Sequence, residues 1–245
     1  MKISLVTGCA GFIGSHMVDY ILKYAIRPDQ KVYCTKRWME DTKNLDHIDH
    51  DSFEYIDCDL LDGMSVKRAV EISKPEKVFH FAAQSFPESS FKTPTYTLNT
   101  NVIGTTNLLE ELRLAQDRIK LSPVIVSVSS SEVYGNPEPD EVPIKETNPI
   151  RAANPYSISK VGHDLMSQYY YEAFGLKMII TRMFSHEGKR RGKIFALSSF
   201  AYQVVQNEKG LGDYTIKHGN LDSVLSLIHI SEPTRPERIS YAGLC

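Results

Sequence analysis

Short apolar runs alternate with longer segments in which apolar residues recur at helical spacing along most of this 245-residue chain. Each run is short enough for a buried strand, and strands are predicted at residues 3–7, 31–35, 53–59, 77–83, 124–129 and 177–184. Helices are predicted at 13–24, 65–73 and 96–115, and a further helix after residue 154. Strands that alternate with helices predict an α/β fold built on a doubly wound, parallel sheet.

A glycine-rich turn joins the first predicted strand to the first predicted helix, with glycines at positions 8, 11 and 14. Gly8 would permit a tight turn, Gly11 would let the backbone approach a pyrophosphate, and Gly14 would let the helix pack closely on the strand. The phosphates would lie at the helix N-terminus, where free N–H groups and the helix dipole favour anions. The pattern favours a dinucleotide site of the Rossmann type over a glycine-rich turn with no ligand.

Two cations, Lys36 and Arg37, follow the second predicted strand. A site that prefers NAD usually has Asp or Glu at this point, which binds the ribose 2′-hydroxyl, whereas cations suit the 2′-phosphate of NADP. NADP is therefore the predicted cofactor, ahead of NAD. The alternative is that both side chains belong to a solvated basic loop.

A tyrosine and a lysine four residues apart, Tyr156 and Lys160, belong to the helix predicted after residue 154. Asn154 is a favourable N-cap, and Pro155 suits the first helical position. The spacing puts both side chains on one face of the helix, one turn apart, so that the ammonium group would favour the ionised phenol. A tyrosine in this setting can act as a general acid and base.

Five strand ends bring chemically useful residues to one edge, because the carboxyl ends of parallel strands meet at the same edge of a sheet. These residues are Gly8, Lys36, Ala83, Ser130 and Phe184. Glu132 follows Ser130 two residues later and adds a carboxylate. The sequence therefore predicts one crevice that contains the glycine turn, the Ser/Glu cluster and the tyrosine–lysine pair.

Composition narrows the class of partner. A formal net charge of −2 favours neither nucleic acid nor an acidic membrane. No window approaches a transmembrane helix, and the first strand begins at the N-terminus with no signal peptide before it. The four cysteines form no C-x-x-C pair, which argues against a disulfide framework or a zinc site and favours a cytoplasmic location. The Asp- and His-rich loop at 46–51 is interpreted as solvated, so no metal is predicted.

These motifs resemble the extended short-chain dehydrogenase/reductase family of epimerases and dehydratases, and within it the GDP-mannose 4,6-dehydratases. The resemblance covers residues 1 to about 224. Its general marks are the glycine turn, Asp59-Leu60, His80-Phe81-Ala82-Ala83, the Ser130 region and the Tyr156/Lys160 pair. Its narrower marks are Lys36-Arg37, Ala83-Gln84-Ser85, Ser130-Ser131-Glu132, Arg190-Arg191-Gly192 and residues 219–223. Ser130, Ser185 and Lys189 depart from the residues usual in these dehydratases, which are threonine, asparagine and proline.

The resemblance implies a role for each matching residue. Catalysis would involve Ser130, Glu132, Tyr156 and Lys160. The cofactor would be bound by Gly8, Gly11, Phe12, Ile13, Gly14, Lys36, Arg37, Asp59, Leu60, Phe81, Ala82 and Ala83, together with Tyr156 and Lys160. The substrate would contact Ser85, Ser185, His186, Arg190 and Arg191.

Glu132 separates the reactions that such a family carries out. The dehydratases use a carboxylate at this position on the sugar C5 proton, and the epimerases usually lack it. The resemblance therefore implies a lyase that converts GDP-mannose to GDP-4-keto-6-deoxymannose with an internally recycled NADP(H). A nucleotide-sugar epimerase and a 4-keto-sugar reductase stay open as alternatives. A non-catalytic NADP-binding protein is the alternative from another class.

The end of the chain departs from the family pattern. After Val224 the family continues with an arginine and a hydrophobic strand, whereas residues 225–245 resemble a translated sequencing adapter. The expected organisation is an NADP-binding Rossmann domain at 1–185, the start of a substrate-binding portion at 186–224 and a non-native, poorly packed tail at 225–245. A chain truncated before most of the smaller substrate-binding domain is expected to be inactive, and the full-length protein is expected to be a homo-oligomer.

Overall fold

The computed structural model describes residues 3–25, 29–222 and 227–230. The chain divides into two compact units, Met1–Glu138 with Glu146–Met183, and Pro139–Lys145 with Phe184–Cys245. The strands described in the first unit are β1 (Ile3–Thr7), β2 (Lys31–Lys36), β3 (Phe53–Asp57), β4 (Lys77–His80), β5 (Val124–Val128) and β6 (Lys177–Thr181). Its described α-helices are α1 (Phe12–Tyr20), α2 (Gly63–Ser73), α3 (Pro87–Lys92), α4 (Pro94–Leu98), α5 (Gly104–Ile119) and α6 (Pro155–Phe174).

The strands of the first unit form one parallel sheet in the order β3-β2-β1-β4-β5-β6. The chain builds outward from β1 in one direction as far as β3 and then in the other direction from β4 to β6. The switch point therefore lies between β1 and β4, where sheets of this kind bind ligands outside the carboxyl ends of the strands. The predicted α/β fold with a doubly wound parallel sheet is confirmed.

Alternation along the strands divides the core between the two faces of the sheet. Leu5 packs with Leu109 of α5 in one buried cluster, which also includes residues of α2 and α6. Val6, the next residue, packs with Val18 of α1 in a second cluster. Because both faces are covered at the centre of the sheet, β1, β4 and β5 are short, mainly apolar runs. The hydrophobic pattern located all six strands.

Several predicted elements end earlier in the structure, at the edge of the sheet where the candidate site lies. Strand β4 was predicted to continue to residue 83 but ends at His80. Beyond this point the Ala82 N–H donates to a side chain, the Thr7 hydroxyl, at 3.3 Å. Strands β3 and β6 likewise end two and three residues before their predicted ends at 59 and 184. The helix predicted at 96–115 is divided by a π-helical turn, Asn99–Ile103, between α4 and α5.

The second unit contains β7 (Ser185–Glu187), α7 (Ala196–Glu208) and β8 (Leu227–His229) among its described residues. Strands β7 and β8 pair in parallel, with His186 opposite Ile228. A short strand at Leu227–His229 therefore lies within the segment expected to be a poorly packed tail, and its two outer residues are exposed. Residues 225, 226 and 231–245 lie outside the described residues, so the adapter origin and the domain roles stay predictions.

The described residues lack two features, a membrane-spanning helix and a cluster of metal ligands. In 3–25, 29–222 and 227–230, no helix is long and apolar enough to cross a membrane. The same residues contain no group of three or more His, Cys, Asp or Glu side chains that could hold a metal ion.

Candidate functional site

The turn between β1 and α1 leaves no room for side chains at two of its glycines. Gly8 has a φ of +67°, and a Cβ at this position would lie 2.7 Å from the Ala82 backbone. A Cβ on Gly14 would lie 2.3 Å from the Gly8 carbonyl oxygen, so that α1 starts directly against the turn. Gly11 is the N-cap of α1, and no side chain caps this end of the helix. The backbone therefore forms a cradle whose N–H groups suit a phosphate.

Residues around the turn hold the cradle in place. Asn44, in the loop after β2, donates from Nδ2 to the Ala10 carbonyl at 2.8 Å. Phe81, Ala82 and Ala83 are half-buried in the loop after β4, next to the turn. Phe12 and Ile13 are half-buried in the first turn of α1. The predicted phosphate-binding residues thus lie together around the switch point, and Asn44 is a contributor that the motif did not indicate.

The ends of β2 and β3 carry the predicted cations and a carboxylate. Lys36 Nζ lies 2.7 Å from the Asp57 carboxylate. The Arg37 guanidinium donates to the Tyr96 hydroxyl at 3.1 Å. A cavity of about 500 Å³ opens beside Arg37 and is also lined by Asp59. Leu60 is buried after Asp59, and its carbonyl accepts a hydrogen bond from Asn107 at 2.7 Å.

The turn after β5 presents the predicted hydroxyl and carboxylate. Ser130 precedes a 3₁₀ turn, Ser131–Tyr134, and its hydroxyl accepts the Glu132 N–H at 3.2 Å. A hydroxyl that accepts in this way keeps its own hydrogen for donation. The exposed Glu132 side chain accepts a hydrogen bond from Asn154 Nδ2 at 3.3 Å. The Glu132 carboxylate therefore lies at the N-terminus of α6.

Helix α6 begins with a capping box. Asn154 Oδ1 accepts the Ser157 N–H at 2.8 Å, and the Ser157 hydroxyl accepts the Asn154 N–H at 2.9 Å. The Tyr156 N–H donates to the buried Ser90 hydroxyl of α3 at 3.1 Å. These contacts fix the first turn of α6, from which the Tyr156 and Lys160 side chains project one turn apart.

The pKa of Lys160 is strongly perturbed. Its side chain is buried, and its ammonium donates to the Val128 carbonyl at the end of β5. Burial lowers the pKa of Lys160 to about 7, while the charge of Asp164, one turn further along α6, opposes this shift. A group with such a pKa can hold or release its proton near neutral pH.

A buried ion pair joins this helix to the Glu132 turn. Asp164 is fully buried, and Arg182 binds its carboxylate through two contacts of 2.9 and 3.1 Å. Burial would raise the pKa of Asp164, but hydrogen bonds from Arg182 and Ser129 lower it overall. Arg182 also donates to the Tyr134 hydroxyl at 3.0 Å. Because Tyr134 ends the 3₁₀ turn that carries Glu132, the pair fixes this turn relative to α6.

A chain of buried hydroxyl and imidazole groups lies near Lys160. His80 contacts the hydroxyls of Thr7 and Thr105, at 2.7 and 2.9 Å. The Thr105 hydroxyl also contacts His163, whose other ring nitrogen contacts Ser127. Burial and the charge of Lys160 lower the pKa of His80 to about 3, and that of His163 falls as well. Neutral rings satisfy these polar groups without adding a second positive charge beside Lys160.

Asn101 is a structural contributor that the sequence reasoning missed. Its amide donates to Ser159 at 2.8 Å and to the Gln84 carbonyl at 2.9 Å, and its carbonyl accepts the Gln84 N–H at 2.7 Å. The loop that carries the exposed Ser85 is thereby tied to α6. The sequence held no clear signal for this role, because Asn101 is one of several polar residues in the helix predicted at 96–115.

The remaining predicted substrate contacts form a separate group in the second unit. Ser185 is exposed on β7, while His186 is buried and its ring contacts the Phe184 carbonyl at 2.7 Å. Arg190 adopts a left-handed conformation, with φ of +70°. The Arg191 guanidinium lies 3.4 Å from the centre of the Phe195 ring, and its Nε lies 3.8 Å from Glu187.

The chain matches the family model described as GDP-mannose 4,6 dehydratase over residues 5–235. It is 28% identical to the GDP-mannose 4,6-dehydratase of Vibrio cholerae, over 96% of this chain and 63% of that protein. The dTDP-glucose 4,6-dehydratase of Streptomyces venezuelae, solved with NAD bound, superposes with a TM-score of 0.81 and 28% identity, over 94% of this chain and 69% of that one. A Thermotoga maritima UDP-glucose 4-epimerase, solved with UDP-glucose, superposes with a TM-score of 0.77 and 25% identity, over 94% of this chain and 70% of that one. The chain spans less than two thirds of the length of the curated relatives that it matches first.

Replacement of Gly14 by alanine should damage the cradle. The new Cβ would meet backbone atoms that cannot move independently, so we expect a loss of about 1–3 kcal/mol in the free energy of unfolding and weaker dinucleotide binding. Gly63→Ala is the matched control, because a Cβ at Gly63 meets nothing within 4 Å. Urea denaturation and calorimetric titration with NADP measure both effects. A Gly14→Ala protein as stable and as well bound as the Gly63→Ala protein would contradict the close contact.

The buried lysine should leave a signature in the pH dependence of stability. Its folded-state pKa of about 7 lies below the ordinary value of 10.5, so between these values the unfolded chain binds more protons than the folded chain. Stability therefore rises with pH through this window. As the pH rises from 7 to 10, we expect the urea midpoint of the wild type to increase relative to that of Lys160→Met. The same pH dependence in both proteins would show that folding does not lower the pKa of Lys160.

Proposed function

The chain belongs to the GDP-mannose 4,6-dehydratase family, and we propose that it is a nucleotide-sugar 4,6-dehydratase that converts GDP-mannose to GDP-4-keto-6-deoxymannose. The observation that carries this proposal is the contact between the Glu132 carboxylate and the cap of the helix that bears Tyr156 and Lys160. The reaction needs one group that moves the proton of a sugar hydroxyl and a second that removes a proton from carbon. The tyrosine and the carboxylate supply these two groups from neighbouring elements.

Tyr156 would act on the sugar 4-hydroxyl. In its phenolate form it takes the hydroxyl proton while C4 is oxidised to a ketone, and the nearby Lys160 ammonium stabilises the phenolate. Ser130 would donate its hydroxyl hydrogen to the same sugar oxygen, since its lone pair already accepts the Glu132 N–H. When bound, a nicotinamide dinucleotide supplies the acceptor and later the donor of one hydride.

Glu132 would act at the next carbon. A ketone at C4 acidifies the C5 proton, which the carboxylate removes as a general base. The electrons left at C5 form a double bond to C6 as the C6 hydroxyl departs, and the proton held by Glu132 accompanies it as water. Return of the hydride to C6, with a proton to C5, completes a cycle without net reduction. An epimerase needs no such second base, and this favours the dehydratase.

The glycine cradle supports a dinucleotide cofactor, and we propose NADP ahead of NAD. The cradle has backbone N–H groups at an uncapped helix start and no room for side chains at Gly8 and Gly14. Arg37 opens onto the cavity beside Asp59 and lies 3.8 Å from Glu40, whereas Lys36 has a closer carboxylate, Asp57, at 2.7 Å. The Asp57 charge offsets that of Lys36, so Arg37 is proposed as the stronger contact to the 2′-phosphate.

The reaction is tested with the protein encoded by the complete gene, GDP-mannose and a trace of NADP⁺. We expect a 4-keto-6-deoxy product without added reductant. Tyr156→Phe should lower kcat by about 10²–10⁴-fold with little change in cofactor affinity. Glu132→Gln should allow oxidation but stop the loss of water, so that absorbance of reduced nicotinamide at 340 nm accumulates. Turnover only with stoichiometric NADPH would indicate a reductase, and binding without turnover would indicate a non-catalytic protein.

The cofactor preference is tested with separate substitutions at the two cations. Arg37→Ala should weaken NADP binding by about tenfold or more, in line with a lost charge-assisted contact, and leave NAD binding nearly unchanged. Lys36→Ala should have a smaller effect because Asp57 already pairs with this lysine. Fluorescence titration of both cofactors measures the dissociation constants. Equal losses for NAD and NADP would mean that these cations are solvated surface charges.

A further inference from the structure

The side-chain amide of Asn154 binds two different partners. Its oxygen accepts the Ser157 N–H at 2.8 Å and so caps α6, while its nitrogen donates to Glu132 Oε2 at 3.3 Å. The two contacts fix the orientation of the amide, since a flipped group would point its NH₂ at the Ser157 N–H. The cap therefore aims a donor at the Glu132 carboxylate.

Glu132 needs such a partner more than the other catalytic candidates do. Lys160 is buried and Ser130 accepts a local N–H, whereas the Glu132 side chain is exposed. An exposed glutamate samples several rotamers, and confining it costs free energy. Among the described residues, Asn154 is the one side chain that bonds to this carboxylate.

We propose that Asn154 is a positioning residue for Glu132, which holds the carboxylate beside the first turn of α6 and leaves its second oxygen to take a proton from the substrate. The contact itself is read from the geometry, and the role of Glu132 as a base rests on the proposed function. A neutral amide suits this task, because it orients the carboxylate without supplying a proton that would quench the base.

The capping role alone does not require asparagine. Serine and aspartate cap helices about as well, because each offers a side-chain oxygen to the N-terminal N–H groups. Neither offers an NH₂ group to Glu132. Asn154→Ser therefore keeps the cap and removes the donor, and Asn154→Asp keeps the cap and places a like charge against Glu132. Both variants should have urea midpoints close to that of the wild type.

The contact is tested without activity by the side-chain amide resonances of ¹⁵N-labelled protein. The Asn154 NH₂ pair is identified by its absence in Asn154→Ser. Glu132→Gln removes the carboxylate charge and should shift this pair, whereas Glu172→Gln, at an exposed carboxylate near the other end of α6, should leave it in place. An Asn154 pair that does not move in Glu132→Gln, or that moves equally in both variants, would overturn the inference.

The role is tested by a double-mutant cycle in turnover. Asn154→Ser should lower kcat by about tenfold, as expected for one lost hydrogen bond to a charged group, with KM and cofactor affinity within twofold. Reduced nicotinamide should accumulate, and Asn154→Asp should lose more. In the Glu132→Gln background, which blocks the loss of water, Asn154→Ser should leave the accumulation of reduced nicotinamide unchanged. An altered accumulation in that background, or an unchanged kcat when Glu132 is present, would contradict positioning. A wild type that forms no product, together with the expected amide resonance shift, would overturn the proposed function alone.

Discussion

Burial of the Lys160 ammonium is the constraint around which the first unit is organised. A charged amine leaves water only if its surroundings offer acceptors and opposite charge. The Val128 carbonyl at the end of β5 and the Asp164 carboxylate on α6 provide them, while the adjacent imidazoles are neutral. Asp164 is itself buried and needs Arg182, which in turn reaches the turn of Glu132 through Tyr134. One desolvated charge thus fixes the relative position of β5, β6 and α6.

The features that follow a local sequence pattern were predictable. Strands buried on both faces are apolar runs, and the glycine spacing reports a tight turn and a close helix, which Gly8 and Gly14 have. Long-range pairs were not predictable, because nothing local indicates that Arg182 meets Asp164 or that Asn101 joins Gln84 to Ser159. Asn154 was predicted as a cap, but its contact with Glu132 depends on a turn 22 residues earlier.

The fold by itself leaves two reactions open, and the proposed one depends on Glu132. A dTDP-glucose 4,6-dehydratase and a UDP-glucose 4-epimerase superpose on this chain with TM-scores of 0.81 and 0.77, so the fold alone does not distinguish the two reactions. The distinction lies in the proposed second base and in the elements that hold it. Glu132 follows the strand that supports Lys160, and it bonds to the residue that caps the helix of Tyr156. Oxidation and elimination would therefore be served by two rigidly connected groups.

The central claim is that one hydride leaves C4 and returns to C6 within a single active site. It is tested most directly with GDP-mannose that carries deuterium at C4, incubated with the protein encoded by the complete gene and substoichiometric NADP⁺. Mass spectrometry and NMR locate the label in the product. The account predicts a 4-keto-6-deoxy sugar with the deuterium at C6. Deuterium that stays at C4 in a sugar that still carries its C6 hydroxyl, or that appears in the free cofactor pool, would contradict it.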